Sequence, residues 1–596
     1  MGDGIRKRSE IDAKYKWDLS HIYATDALWE AAYGKAMADT EQISAYDGHV
    51  AERPKEAIRA VQDLYDRIMP VLEYAFLQKE ADNTDPAAQA RKDQAMRLYV
   101  TATTKASFLE PELLNMPEET LKVLMNDLDM RDFDAMLHRI LLGKPHTLPK
   151  EQERLIAMMG EIAEAPGNIF SALSDADMKF PPITMPDGTT QELTEGNYST
   201  FIRSEDREVR RQAFRNIMTT YEAYGNTIAG TYSASVKKDQ FMALSHNYSS
   251  AREAAMKPLE IPEEVYDNLI SVVHEYLPVL QEYLQLRKKI LKLDELHLYD
   301  LYTPMVSGYR MDLPYEKAFD LVLEGLKPMG EDYTAKLKEA RDGGWIDVFP
   351  SAGKSSGAFS SGSLRDVHPY VLLNHNDNLD SAFTIAHELG HSMHSFYSNT
   401  HQPSAKSEYS LFVAEVASTC NEAVMQRYLM DQMEDPRGRA FLLNHFLEQF
   451  RTTVFRQTMF AEFEKISHEM AQHGNPLTKE SLSEAYFRLN ETYYGATCFM
   501  DKEIASEWMR IPHFYRAFYV YVYATGLCAA VSLSEKILQE GETAVRDYRK
   551  FLSAGCSVPP IEALKLAGID MSSPEPVRRA MEVFRETVRE MGEVIA

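Results

Sequence analysis

Apolar residues recur at three- and four-residue spacing along most of this chain, the period of helices packed on one face. Residues 50–81 (VAERPKEAIRAVQDLYDRIMPVLEYAFLQKEA) keep it for several turns. Residues 85–109 keep it again, with Asp85 placed to cap a helix and Pro86 at its first position. The pattern breaks at residues 180–202 (FPPITMPDGTTQELTEGNYSTFI), where Pro186-Asp187-Gly188 between β-capable flanks predicts a hairpin. Ser204 is then placed to cap a charged amphipathic helix, SEDREVRRQAFRNIM. A boundary set there divides the chain into an N-terminal helical domain, 1–200, and a larger domain, 201–596.

A second break covers residues 343–380, with two short apolar runs, WIDVF and PYVLL, around a glycine- and serine-rich stretch, SSGAFSSG. It predicts a small sheet with a loop beside it. Beyond Asp380 the helical period returns almost to the end. No fixed-period repeat runs through the chain, which argues against a solenoid. The expected fold class is mainly α, with one small β-sheet.

Composition narrows the function. At roughly 150 residues per domain, a 596-residue chain holds two to four domains. Lys plus Arg number 64 and Asp plus Glu 90, a net charge of −26. That field repels phosphate backbones and anionic headgroups, so neither nucleic acid nor a membrane surface is an expected partner. Four cysteines, far apart and in no CxxC pair, suit a reducing compartment. MGDGIRKRSEIDAKYKWDL shows no apolar leader, and Arg6 stands where a myristoylation motif has Ser or Thr. The expectation is a cytoplasmic protein. Residues 517–533 (AFYVYVYATGLCAAVSL) carry no charge but fall short of the ~20 residues a membrane span needs. They read as a buried segment.

The chemistry sits just after the predicted sheet. His387-Glu388-Leu389-Gly390-His391 lies on a helix that Asp380-Ser381 can cap. Residues four apart share a face, so both imidazoles reach one ion. Glu388 is turned about 100° from His387 and can face the attacking water without being a ligand. This is the HExxH arrangement of zinc peptidases, expected by chance roughly 0.07 times at this composition. A catalytic zinc wants a third protein ligand. His394 lies on nearly the same face, but the extended motif with glycine at 394 and histidine at 397 is excluded, because His394 and Tyr397 stand there. His394 reads as packing. Glu408, Glu415 and Glu422 are spaced by seven, so their surroundings must separate them. Glu408 reads as a solvated carboxylate near a helix start. Glu415 sits in LFVAEVAS among apolar and small residues, where an unpaired carboxylate is costly to bury. It is taken as the third ligand. Glu422, two turns on, either accepts a hydrogen bond from a ligand imidazole or makes a plain salt bridge.

HELGHSMHS followed by FVAEVASTCNE resembles the thimet-oligopeptidase-like zinc metallopeptidases, and among them the oligoendopeptidase F group. YKWDLSHIY, SSGAFSSG, DVHPYVLLNHNDNLDSAFTIAHELGH and RIPHFYRAFYVYVYATG extend the resemblance over most of the chain. It implies a gluzincin-type helical metallopeptidase with a deep substrate channel between two helical halves, cutting short oligopeptides. It implies one Zn2+ per chain on His387, His391 and Glu415, with Glu388 as general base. A downstream His and Tyr then steady the tetrahedral oxyanion. His513 matches the first and Tyr521 is the chosen match for the second, with Tyr519 and Tyr523 as substrate-facing neighbours. On a helix Tyr515, Tyr519 and Tyr523 share a face and Tyr521 points away; in an extended segment 519, 521 and 523 share one. PYVLL is taken as an edge strand able to pair with substrate, and SSGAFSSG, with Gly357, as a mobile loop over the cleft. Two rivals remain: a zinc exopeptidase releasing C-terminal dipeptides, and a non-enzymatic helical peptide-binding protein. Oligomeric state is not legible.

Overall fold

A computed structural model describes residues 6–595, so the first five residues of the segment read as leaderless lie outside the described residues. Helices dominate, and every sheet is small. The chain forms two compact units, each discontinuous in sequence. Unit one takes the described residues up to Pro145, Arg310–Leu429 and Ala530–Asp570. Unit two takes His146–Tyr309, Met430–Ala529 and the described residues from Met571 on. A cut near residue 200 therefore falls inside unit two and does not separate the pair.

In unit one, α1 (Pro54–Ala81) and α2 (Pro86–Ala106) follow their periodicity. Asp85 accepts the Ala87 N–H at 2.8 Å, and Pro86 opens α2. Ile58, Val61, Leu64, Ile68 and Val71 of α1 are buried with Ala95, Leu98 and Ala102 of α2, and Trp29 closes the cluster by donating Nε1–H to the Val71 carbonyl at 2.9 Å. The predicted small sheet has three strands: β1 (Ile346–Asp347), β2 (Phe359–Ser361) and β3 (Tyr370–Leu372). β3 lies in the middle, parallel to β1 and antiparallel to β2. PYVLL is thus a central strand and not an edge, because all three of its strand residues are buried with a neighbour on each side. Within SSGAFSSG, Phe359–Ser361 form β2, at the edge of the sheet, and the residues before them make a turn. Asn374 pins this turn, donating Nδ2–H to the carbonyls of Ser355 and Gly357 at 2.9 and 2.8 Å. Gly357 itself is exposed at φ +82°, where a side chain would be strained.

The helix with the HExxH residues, α3 (Leu379–His401), begins two residues earlier than a cap at Asp380 implies: Asn378 is the cap and accepts the Ser381 N–H at 2.8 Å. α4 (Leu411–Gln432) follows it.

Unit two holds the predicted hairpin, Ile183–Thr184 against Thr190–Gln191. Asp187 accepts the Thr189 N–H at 3.0 Å, and Gly188 takes φ +82°. A short helix, Glu195–Ile202, follows the hairpin, and the charged amphipathic helix then runs Arg207–Ala223, capped by Asp206, not Ser204: Asp206 accepts from Val209 N–H, while Ser204 accepts from Asp206 N–H. Two further helices matter below, α5 (Arg456–Gln472) and α6 (Tyr521–Glu540). α6 contains most of the uncharged stretch, and residues 524–534 are buried throughout. No helix of the described residues is long and apolar enough to cross a membrane. All four cysteines are free; Cys420, Cys498 and Cys528 are buried.

Candidate metal centre

Two helices of unit one build this site, and their closest approach explains its sequence. At Gly390 a Cβ would lie 2.5 Å from the Ser418 Cα and 2.8 Å from the Ala417 carbonyl. α3 and α4 therefore touch backbone to backbone, which only glycine permits at that point. Asn421 of α4 adds a staple, donating Nδ2–H to the Ala386 carbonyl at 3.0 Å and accepting from the Tyr333 hydroxyl at 2.9 Å.

That contact brings Glu415 over the two histidines. His387 Nε2 and His391 Nε2 stand 3.2 Å apart. Glu415 Oε2 is 3.3 Å from the first and 3.4 Å from the second. Three ligands about 2.05 Å from a tetrahedral ion sit about 3.3 Å from one another. The donor set and the triangle both fit a divalent metal, and these three residues are a group among the described residues with metal-ligand spacing.

Glu422 sits behind His387 and hydrogen-bonds its Nδ1. That fixes the tautomer, leaving Nε2 for the metal. Burial alone would push the His387 imidazole down, but hydrogen bonds to Glu415 and Glu422 outweigh it and lift it to about 10. The same imidazoles hold the Glu415 carboxyl far below the usual carboxylate range. The pocket is built for positive charge. Glu388, 7% exposed, is the third acid: burial pushes its carboxyl up, against the pull of His387 and His391. Ser360 of β2 bonds Ser392 at 2.8 Å, and Ser392 in turn donates to the Glu388 carbonyl at 2.9 Å. The edge strand is thereby tied to the turn of α3 that carries the site.

Glu415, expected to be buried among its apolar sequence neighbours, has a side chain 49% exposed. Its apolar neighbours in sequence, Phe412, Val413, Val416 and Ala417, are buried on the other faces of α4. Glu408 is exposed, as read. His394 is 1% exposed and stacks on Tyr409 at 3.7 Å. Burial pushes it down to about 3, so it packs as a neutral ring.

The other expected residues lie in unit two. His513 sits exposed on the 3-10 turn Pro512–Tyr515. The Tyr523 hydroxyl is 3.4 Å from its Nε2, and the Tyr519 ring lies parallel to the imidazole at 6.4 Å. Tyr519 and Tyr523 pack edge to face at 5.4 Å, as residues four apart at the start of a helix do. Burial, with Arg456 and Arg516 nearby, pushes His513 below its ordinary value, so it is neutral at pH 7. Tyr521 is not part of this group. It is 2% exposed, and its ring lies 5.0 Å from Tyr266 in the core. Opening α6, it points away from 519 and 523; the helical alternative holds and the extended one does not.

The comparisons now bear on this geometry. The model of Peptidase family M3 matches residues 200–583, and that of Oligopeptidase F matches residues 112–180. The chain belongs to peptidase family M3. Oligopeptidase PepF of Bacillus subtilis is 44% identical over 99% of this chain and 88% of its own length. Group B oligopeptidase PepB of Streptococcus agalactiae is 39% identical over 99% of this chain and 98% of its own. Among solved structures, a peptidase from Chlamydophila abortus superimposes with a TM-score of 0.93 at 31% identity, covering 99% of this chain and 100% of that one. Oligoendopeptidase-F from Enterococcus faecium gives 0.73 at 36% identity, covering 96% and 99%. As an M3 member the protein is a metalloendopeptidase, a hydrolase of peptides with a metal cofactor.

Reading by sequence missed Gly390, Asn421, Ser392 and Ser360. Gly390 was visible inside the HExxH motif, but nothing in the sequence says what lies against it.

Proposed function

We propose that this protein is a zinc-dependent endopeptidase of short oligopeptides, with His387, His391 and Glu415 as zinc ligands. The observation that carries the reading is the near-equilateral triangle of their donor atoms, 3.2, 3.3 and 3.4 Å on a side, with buried Glu388 beside it. A His2Glu set with an open side is a catalytic zinc set. Bound there, zinc supplies Lewis acidity, making water a nucleophile near neutral pH and polarising the scissile carbonyl.

The remaining work falls to the chain. Glu388, its carboxyl raised by burial, is poised to take the proton of the attacking water and return it to the leaving amine. Glu422 holds His387 in its ligating orientation. The free edge of β2, tied to α3 through Ser360 and Ser392, offers backbone groups to an extended substrate, with Gly357 at its approach. Pairing by main chain gives loose sequence selectivity. His513 and Tyr523, with Tyr519 beside them, are the proposed imidazole and hydroxyl donors to the oxyanion, Tyr523 replacing the buried Tyr521. Relatives named oligopeptidase and oligoendopeptidase favour short internal cleavage over the dipeptide-releasing alternative. Four free cysteines favour action in the cytoplasm.

The test is an internally quenched peptide of about ten residues, amidated at its C-terminus, with products read by mass. Wild type and Glu388→Gln are each assayed with chelator and with zinc added back. Internal cleavage abolished by the mutation and by the chelator, and restored by zinc only in wild type, supports the reading. Loss of all cleavage on amidation moves the enzyme to the exopeptidase alternative.

A further inference from the structure

Glu464, on α5 of unit two, is a buried acid with no role in the chemistry so far. It is 0% exposed. Its Oε1 accepts the Phe518 N–H at 2.8 Å, and its Oε2 has no hydrogen-bond partner. Phe518 stands at φ +53°, the left-handed region, where a bulky side chain is an outlier that the surroundings must enforce. Its ring is clamped between Tyr266, at 5.8 Å, and His468, at 4.7 Å. The next residue is Tyr519, and α6 with Tyr523 starts two further on. Phe518 is thus the corner between the turn carrying His513 and the helix carrying Tyr523.

As a contribution to stability alone Glu464 is a poor choice, since a buried acid with one oxygen unused is costlier than an apolar side chain. Burial pushes its carboxyl well above the ordinary range, and Asp239 opposes ionisation further. Both favour the neutral acid, whose carbonyl oxygen can accept the Phe518 N–H. Such a group suits one task, holding a backbone N–H in place without bringing a charge into the core.

We propose that Glu464 is a positioning residue for peptide cleavage: its bond to the Phe518 amide holds the left-handed corner and so fixes His513, Tyr519 and Tyr523 as one group. The proposal rests on the reading of His513 and Tyr523 as substrate-facing donors.

The experiment uses the full-length, zinc-loaded enzyme on the quenched peptide. Glu464→Gln, Glu464→Asp and Glu464→Leu are compared with Tyr523→Phe and His513→Ala, and deuterium uptake is followed over residues 512–523. Gln keeps a neutral acceptor at the same reach, so kcat stays within about twofold of wild type and the segment stays protected, whereas Leu lowers kcat about tenfold or more with KM within about twofold. In Leu the segment exchanges faster. Asp, one methylene shorter, shifts kcat and exchange the same way and serves even where Leu does not fold. Wild-type kcat and protection in Leu or Asp overturns the proposal, and so does a Gln variant as impaired as Leu. Unchanged kcat in both Tyr523→Phe and His513→Ala sinks the reading beneath it, and the reaction role of Glu464 with it. Loss in those two with full activity in Asp and Leu sinks Glu464 alone.

Discussion

In the metal group His387 depends on a residue outside the ligand set. Glu422 holds the His387 tautomer. Glu422→Gln keeps the side chain's size but removes the charge, and metal affinity should fall about 10- to 100-fold. A competition titration of the apoprotein against a chelator of known zinc affinity reads this directly. Much of kcat should return at saturating zinc. The tyrosines separate just as sharply. Tyr523→Phe should lower kcat about tenfold or more, as for a lost oxyanion donor, while Tyr521→Phe should leave it within about threefold. Steady-state kinetics on one peptide decides, and equal effects would return Tyr521 to consideration. These residues were legible to different degrees. His387, Glu388 and His391 are read from spacing along a single helix. Glu415 stands 3.3 and 3.4 Å from the histidines, but it is exposed where the sequence suggests burial, since its apolar sequence neighbours lie on other faces of the helix.

Between elements, the decisive contact is α3 on α4. Gly390→Ala puts a methyl group 2.5 Å from the Ser418 Cα. Overpacking of this kind typically costs about 1–3 kcal/mol, and here it also lifts Glu415 away from the histidines. The expected result is a lower melting temperature together with weakened zinc binding; a loss of stability with normal zinc affinity would place the contact outside the site's assembly. A second element contact predicts acid behaviour. Asp300, 0% exposed, accepts from Arg210 at 2.7 Å and Arg207 at 2.9 Å, binding the helix Arg207–Ala223 to the turn Leu298–Asp300. Burial alone would push its carboxyl up, and the two guanidinium groups outweigh this and hold it below its ordinary 3.8. A folded-state value below the unfolded one stabilises the protein above the unfolded pKa, and that stability is lost as pH falls through the folded value. Asp300→Asn should therefore cost about 3–5 kcal/mol at pH 7, with the penalty shrinking as pH falls through the lowered carboxyl value. Urea unfolding over a series of acid pH values checks it.

For the molecule as a whole, net charge predicts kinetics rather than fold. At −26, a cationic peptide should be drawn in faster at low salt. Its kcat/KM should fall several-fold between about 0.02 and 0.2 M salt, while a neutral peptide of equal length changes little. A basic peptide indifferent to ionic strength would show that the local field at the site is weak despite the global charge, and one cut faster at high salt that it is reversed.

What the sequence by itself determined was local and periodic. Helix period, the Asp187-Gly188 turn, the two histidines four apart and the short apolar runs WIDVF and PYVLL that announce a small sheet each depend on residues close together in the chain. Two caps lie two residues from where the sequence places them, at Asp206 and Asn378, because several polar side chains compete for the same N–H groups and packing chooses among them. Tertiary structure alone decided which strand is an edge, since PYVLL is apolar whether it has one neighbour or two. It alone decided that Tyr521 is core while Tyr523 meets His513, because helix and extended chain put different tyrosines on one face. And it alone made the domain map discontinuous, for the chain leaves and re-enters each unit at points its local pattern does not mark.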